Sequence, residues 1–265
     1  TGVAKRILDK ADLVIVEVNE RLPRILGGFD EVIHIDEVDF VVEGEHPPLP
    51  QFPLAEPSPE EVAIANLLVP QIPSGAALQL GIGSLPNVVG ALLAQSDLKD
   101  FGMHTELCGD AYYELFRAGK LTNRFMNLHP GKGMTGMVFG TQQLYDWADC
   151  NPAVTVGPLE YVNALTTIGS VENMISINNC VAVDLYGQIS SESSGLRHIS
   201  GTGGQLDFLE SAAVSKGGKA FICMTSSFTN KEGEMVSRIN PLLSPGDIVT
   251  DPRSQAYYIV TEYGG

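Results

Sequence analysis

From Ser58 onward, short apolar runs alternate with helix-forming segments, joined by turns that glycine, proline or a capping residue marks. That alternation confines a chain to α/β folds, because each helix must carry the backbone back before the next strand can be laid down. Ala76 to Leu80 reads as a strand and Pro86 to Ala94 as a helix. The next cycle has an extended stretch over Met103 to Glu106 and a helix over Ala111 to Arg117, closed by Gly119. In a third, Met134 to Phe139 is extended and Thr141 caps a helix over Gln142 to Trp147, followed by a strand at Val154 to Val156. The last third is richer in strands, at 174–177, 180–185, 219–224, 248–250 and 257–261, with a short helix over Asp207 to Ala213. The pattern predicts an α/β protein with a parallel or mixed sheet flanked by helices. No repeat at solenoid periods is present.

Ahead of this region, residues 3–10 read as helix, Ala11 to Val18 as a strand, and residues 30–43 carry two strand-like patches, 32–35 and 38–42. Pro47, Pro48, Pro50, Pro53, Pro57 and Pro59 then deny the backbone regular hydrogen bonding, which predicts an extended linker. We place the domain boundary there, with residues 1–57 as the end of one domain plus linker and 58–265 as the main domain. Ser58, Pro59, Glu60 and Glu61 form a strong helix start, with a capping hydroxyl, an N1 proline and acids facing the dipole. Thr1 to Arg6 lacks both an initiator Met and a following apolar stretch, so we expect no signal peptide, and a processed product or part of a longer chain.

With 16 basic and 32 acidic residues the net charge is −16, which opposes nonspecific binding to nucleic acid or anionic membrane. It leaves room for an anionic small ligand at a local cation or helix N-terminus. The four cysteines, Cys108, Cys150, Cys180 and Cys223, show no paired spacing, and we expect a reducing, cytoplasmic setting. No apolar run reaches the ~18 residues of a membrane span.

Glu106 is the first candidate for chemistry. It lies at a strand-to-helix junction, where open α/β sheets present ligand-binding residues. A carboxylate placed there can attack an activated acyl group if an oxyanion is stabilised nearby. A surface or capping role is the plain alternative. His104 and Glu106 alternate along the strand and so share a face. A metal site from His104, Glu106 and Asp110 lacks a recognisable ligand spacing, and none is expected.

Two glycine loops offer backbone amides. Gly81-Ile82-Gly83-Ser84-Leu85-Pro86 follows a strand and opens a helix, which suits an anion, although Pro86 breaks the dinucleotide fingerprint. A tight turn explains it equally. Gly201-Thr202-Gly203-Gly204-Gln205 has more glycine than a turn needs and could form an oxyanion hole or an anion nest. Lys132, within Pro130-Gly131-Lys132-Gly133, could meet a phosphate or occupy a surface turn. Asn173, Asn178 and Asn179 flank strands as turn formers or substrate contacts. A hydrolytic triad from Ser193 or Ser194 with His198 lacks the nucleophile-elbow pattern.

Several of these segments occur together in a known order. The motifs at 78–86, 102–106, 173–178, 183–189 and 200–208 make the chain resemble the acetyl-CoA hydrolase/transferase family, within it the 4-hydroxybutyrate and butyrate:acetate CoA-transferases. The resemblance implies a NagB/RpiA/CoA-transferase-like fold with most of the N-terminal domain lying outside this chain. It implies that Glu106 forms an acyl anhydride and then a glutamyl-CoA thioester, with coenzyme A as substrate and covalent partner and no metal. Gly81, Gly83, Gly203, Gly204 and Gln205 would then surround the oxyanion or CoA, and His104, Asn178 and Lys132 become candidate substrate contacts. The implied partners are an acyl-CoA, a short-chain carboxylate such as acetate, and a second copy of the chain. An acyl-CoA hydrolase and a non-catalytic CoA-binding piece are the alternative readings.

Overall fold

The computed structural model describes residues 2–52 and 54–265; Thr1 and Pro53, the latter within the predicted linker, lie outside the described residues. Its centre is a seven-stranded parallel sheet. In chain order the strands are β1 (Ala77–Leu80), β2 (Gly102–Cys108), β3 (Gly133–Val138), β4 (Val154–Val156), β5 (Met174–Asn179), β6 (Lys219–Cys223) and β7 (Tyr258–Val260). Across the sheet the order is β7-β6-β5-β1-β2-β3-β4, with every neighbouring pair parallel. From β1 the chain winds outward to β4, crosses back to β5 beside β1, and then winds the other way. That reversal opens a crevice at the carboxyl ends of β1 and β5, the usual ligand position in open α/β sheets.

Helices cover both faces. On one lie α1 (Pro59–Leu68), α2 (Ser84–Gln95), α3 (Asp110–Arg117) and α4 (Gln142–Ala148). Their Ile64, Leu68, Val89, Leu93, Leu115 and Leu144 pack on Leu78, Leu80, Met103, Ile175 and Ile177. On the other lie α5 (Leu159–Val162), α6 (Leu165–Ser170) and α7 (Gln205–Val214). Their Val162, Ile168, Phe208, Leu209 and Ala212 pack on Ala77, Met134, Met174, Ala220 and Ile222. Each large apolar side chain removed from water contributes about 1.5–3 kcal/mol. Strands buried on both faces explain the near-continuous apolar runs of β1 and β5.

The predicted start of α1 is present in full: Ser58 Oγ accepts from Glu61 N at 3.2 Å and Glu61 Oε2 accepts from Ser58 N at 2.8 Å. Elsewhere local propensity is overridden. Residues 32–35 form no strand; His34 instead caps a 3₁₀ turn over Ile35–Glu37, its Nδ1 accepting from Asp36 N. The strand predicted over 11–18 shortens to Ile15–Val18, paired with Phe40–Glu43 in a separate two-stranded sheet. Ile15, Phe40, Val41 and Val42 remain exposed there, an apolar surface of the kind that parallel strands ordinarily bury. Residues 180–185 contribute only Ala182–Asp184, to a small sheet with Ile189–Ser190 and Ile239–Asn240. Residues 248–250 form no strand: Ile248 N donates to the Ser193 hydroxyl, and the contact of Thr250 N with Ile189 O stops at a single bridge between Ile189 and Asp251. Among the described residues, no helix is long and apolar enough to cross a membrane.

Candidate active site

Glu106 belongs to β2 itself, two residues before the strand ends, and its side chain is half-buried. It points to the α7 face. Asn163, the residue that ends α5, donates from Nδ2 to Glu106 Oε2 at 2.8 Å and to Asp207 Oδ2 at 3.3 Å. Burial raises the Asp207 carboxyl, and the Asn163 bond opposes that rise. The carboxylate is therefore fixed in orientation by an amide from a separate crossover.

Above it runs the second glycine loop. A Cβ at Gly204 would lie 1.9 Å from Glu106 Oε2 and 2.3 Å from Asn163 Nδ2, so only glycine lets the loop approach this closely. Gly203, with φ +58°, precedes it, and a Cβ there would sit 4.0 Å from Glu106 Oε1. Gly204 also caps the N-terminus of α7, which directs the positive end of a ten-residue helix toward the carboxylate. Gln205 does not offer its carboxamide to the site. Its Nε2 donates to Ser191 Oγ at 2.8 Å and to Asp251 Oδ2 at 2.6 Å, pinning the loop to the wall.

The first glycine loop stands at the switch point, one strand away. Gly83 has φ +126° and begins α2, a conformation that side-chain-bearing residues rarely adopt. Gly81 sits against Asn178, whose Oδ1 would be 2.9 Å from an added Cβ. Asn178 is 7 % exposed and shares a closed network with Gln79 and Ser176 at 2.6–3.0 Å. It props the loop from beneath.

None of the three expected substrate contacts reaches the Glu106 carboxylate: Asn178 is closed into its network with Gln79 and Ser176. Lys132 precedes β3 at the opposite, amino end of the sheet, where Nζ donates to Pro152 O at 2.8 Å. Strand polarity, which residue spacing does not reveal, separates it from the site. His104 shares the face of Glu106 but has no exposed surface. Its Nε2 donates to Val162 O at 2.8 Å, and its ring faces Phe208. The trio His104, Glu106 and Asp110 is not gathered either, since Asp110 turns away to accept from Thr141 N and Oγ1. Among the described residues no group of three or more His, Cys, Asp or Glu could hold a metal. Burial pushes the Cys108 and Cys223 thiols up, and Cys180 to about 12, which leaves these three thiols protonated and poorly nucleophilic. Ser193 Oγ is occupied by Ile248 N.

Two buried groups give opposite pH dependences. Burial first, opposed by the Val162 bond, pushes His104 down from 6.5 to about 4. The unfolded chain thus takes up a proton that the folded one refuses, so stability is full above pH 6.5 and falls as the pH drops toward 4, by up to ~3 kcal/mol. Urea titrations should show that slope in the parent and its loss in His104→Gln. Burial likewise raises Asp251, with no exposed surface, from 3.8 to about 6. Here stability is present below 3.8 and is lost as the pH rises to 6. Asp251→Asn, which still accepts from Gln205, should unfold at higher urea than the parent at pH 7.5, with the gap closing near pH 4.

The fold and the site define a doubly wound α/β protein whose carboxylate stands at the carboxyl edge of the sheet between two glycine loops. Residues 1–53 match the acetyl-CoA hydrolase/transferase N-terminal domain, and residues 140–265 the acetyl-CoA hydrolase/transferase C-terminal domain. The chain belongs to the acetyl-CoA hydrolase/transferase family. It is 52% identical over 259 residues to the butyryl-CoA:acetate CoA-transferase of Anaerostipes caccae, covering 97% of this chain and 58% of that protein. The crystal structure of RipA from Yersinia pestis superposes with a TM-score of 0.90 at 38% identity, over 100% of this chain and 58% of that one. The 4-hydroxybutyrate CoA-transferase of Porphyromonas gingivalis superposes with a TM-score of 0.82 at 34% identity, over 99% and 60%. The chain thus spans under two thirds of the length of these relatives.

Proposed function

We propose that this chain carries the nucleophile of a CoA-transferase that exchanges CoA between an acyl-CoA and a short-chain carboxylate. The observation that carries the reading is the Glu106 carboxylate, oriented by Asn163 and approached by the Gly204 backbone at a distance no side chain permits. The likeness to proteins named as butyryl-CoA:acetate and 4-hydroxybutyrate CoA-transferases supports it.

In this reading a Glu106 oxygen adds to the acyl-CoA carbonyl carbon. The resulting oxyanion draws on nearby backbone N–H groups and the α7 dipole. Collapse expels CoA thiolate and leaves a mixed anhydride. The thiolate then attacks the glutamyl carbonyl, releasing the first acid and forming glutamyl-CoA thioester. An incoming carboxylate repeats the sequence in reverse, ending with a new acyl-CoA and free Glu106. The thioester is conserved, so the exchange itself requires no external energy source. Positioning and exclusion of water are what the protein supplies. In the same reading the active enzyme is a two-domain NagB/RpiA-type protein that functions as an oligomer, with residues 58–265 as its catalytic domain.

Isotope flow tests this. When the whole protein turns over acyl-CoA with ¹⁸O-labelled acetate, label should pass to Glu106 and then into the acid released in the next cycle. Thioester loss without transfer to acetate would instead make the protein a hydrolase.

A further inference from the structure

His104 has no exposed surface, and no step at Glu106 uses any of its atoms. An imidazole buried there costs stability. Burial pushes the ring down to about 4, and Nδ1 is left without a hydrogen-bond partner among the described residues. An apolar side chain would fill the space with neither cost. What the ring supplies instead is one N–H. A carbonyl oxygen only accepts, so the proton of the neutral ring sits on Nε2, which donates to Val162 O at 2.8 Å.

That carbonyl is one half of the Val162–Asn163 peptide. α5 spans only Leu159–Val162, and a one-turn helix has no following turn to claim its last carbonyl. The other half of the peptide, Asn163 N, donates to Leu159 O at 2.8 Å. The peptide plane is therefore held from both sides, by its own helix and by β2. The side chain it carries has little else to fix it. Asn163 Oδ1 is buried without a partner among the described residues, and Nδ2 faces the carboxylates of Glu106 and Asp207. The aim of the amide is thus set by the peptide behind it. The His104 ring also lies 6.2 Å, centroid to centroid, from Phe208, whose N donates to Gly204 O at 3.0 Å. One residue of β2 so underlies both groups that approach Glu106, from the same face and about 6.6 Å back along the strand.

We infer that His104 is a positioning residue for Glu106: through Val162 O it fixes the peptide of Asn163, and with it the amide that orients the carboxylate. Its consequence for rate rests on the reading of Glu106 as the nucleophile. β2 then carries both the reacting group and the anchor of the group that aims it, so the two keep register whenever the crossover through α5 shifts. Burial of a histidine at a cost in stability is explained by that geometry, whereas core packing alone does not require it.

The test uses the whole protein. His104→Leu and His104→Phe fill the space without a donor, while His104→Gln brings an amide N–H to a similar reach. At thermal midpoints close to the parent, both donorless variants should lose ~10- to 10²-fold in kcat, the cost of about an ångström of misplacement. KM for the acyl-CoA should change little, and His104→Gln should recover most of the lost rate. In an Asn163→Ala background, His104→Leu should cost only about twofold more, because its route to the carboxylate is already gone. A crystal structure of His104→Leu should show Asn163 Nδ2 out of hydrogen-bond reach of Glu106 Oε2. An unmoved amide, a parental kcat in both donorless variants, or an equal loss with and without Asn163 overturns the inference. Glu106→Ala, measured alongside, separates this from the reading beneath it. Transfer near the parental rate there removes Glu106 as nucleophile, and the crystal structure still decides whether His104 places the amide.

Discussion

Replacing Glu106 with Ala in the whole protein should lower CoA transfer by at least ~10⁴-fold, with CoA still bound. Removal of a covalent nucleophile costs on this scale because the two-step path is lost altogether, while binding contacts survive. Folding should be unaffected. Glu106 is half-buried and, among the described residues, its side chain accepts its hydrogen bond from Asn163, so the truncation opens no large apolar cavity. Steady-state kinetics and CoA titration of the same preparation check both halves of the expectation. A variant that transfers CoA at a rate near the parent would remove Glu106 from the mechanism.

The second large effect is expected from adding one methyl group. Gly204→Ala places a Cβ where Glu106 Oε2 and Asn163 Nδ2 now stand, at 1.9 and 2.3 Å. Gly204 has φ −100°, which alanine adopts freely, so the backbone has no reason to move. The atoms that must give way are the ends of two polar side chains. The carboxylate is then displaced by an ångström or more, and misplacement on that scale costs about 10²-fold in rate. We therefore expect kcat to fall by ~10²–10³ while the thermal midpoint changes little. A fall in stability with unchanged kcat would show that the loop packs against the carboxylate for folding alone.

Much of the architecture was legible because each helix and strand carries its own local signal. Ser58 and Glu61 mark a capping box within four residues, and the helices expected over 86–94 and 207–213 end within two residues of the bounds of α2 and α7. The failures lie where tertiary context decides. Residues 32–35 have strand-like side chains but no strand beside them, and the His34 cap takes over. Residues 248–250 are β-branched, yet the Ser193 hydroxyl claims the Ile248 donor and the pairing with Ile189 stops at a single bridge.

The site was legible in part. Glu106 is a candidate from its strand-to-helix position and the Gly203–Gly204 loop from its glycine density, the family resemblance sharpens both, and the structure brings the two together. Asn163 carried no sequence signal, since nothing around a lone Asn at the end of a one-turn helix announces a partner 57 residues away. His104 was placed on the correct face but at the wrong depth. Two residues along a strand are about 6.6 Å, enough to move a side chain from the rim of the sheet into its core. Lys132 failed for a related reason, because a loop pattern does not say at which end of the sheet the loop lies.

The central claim is that Glu106 becomes covalently acylated. The most direct measurement is to mix the whole protein with acyl-CoA, reduce with borohydride, digest, and map the product by mass spectrometry. A glutamyl thioester is reduced to a primary alcohol, so the peptide containing Glu106 should carry that change, dependent on acyl-CoA and absent from Glu106→Ala. Reduction at another residue, or none while transfer proceeds at full rate, would contradict it.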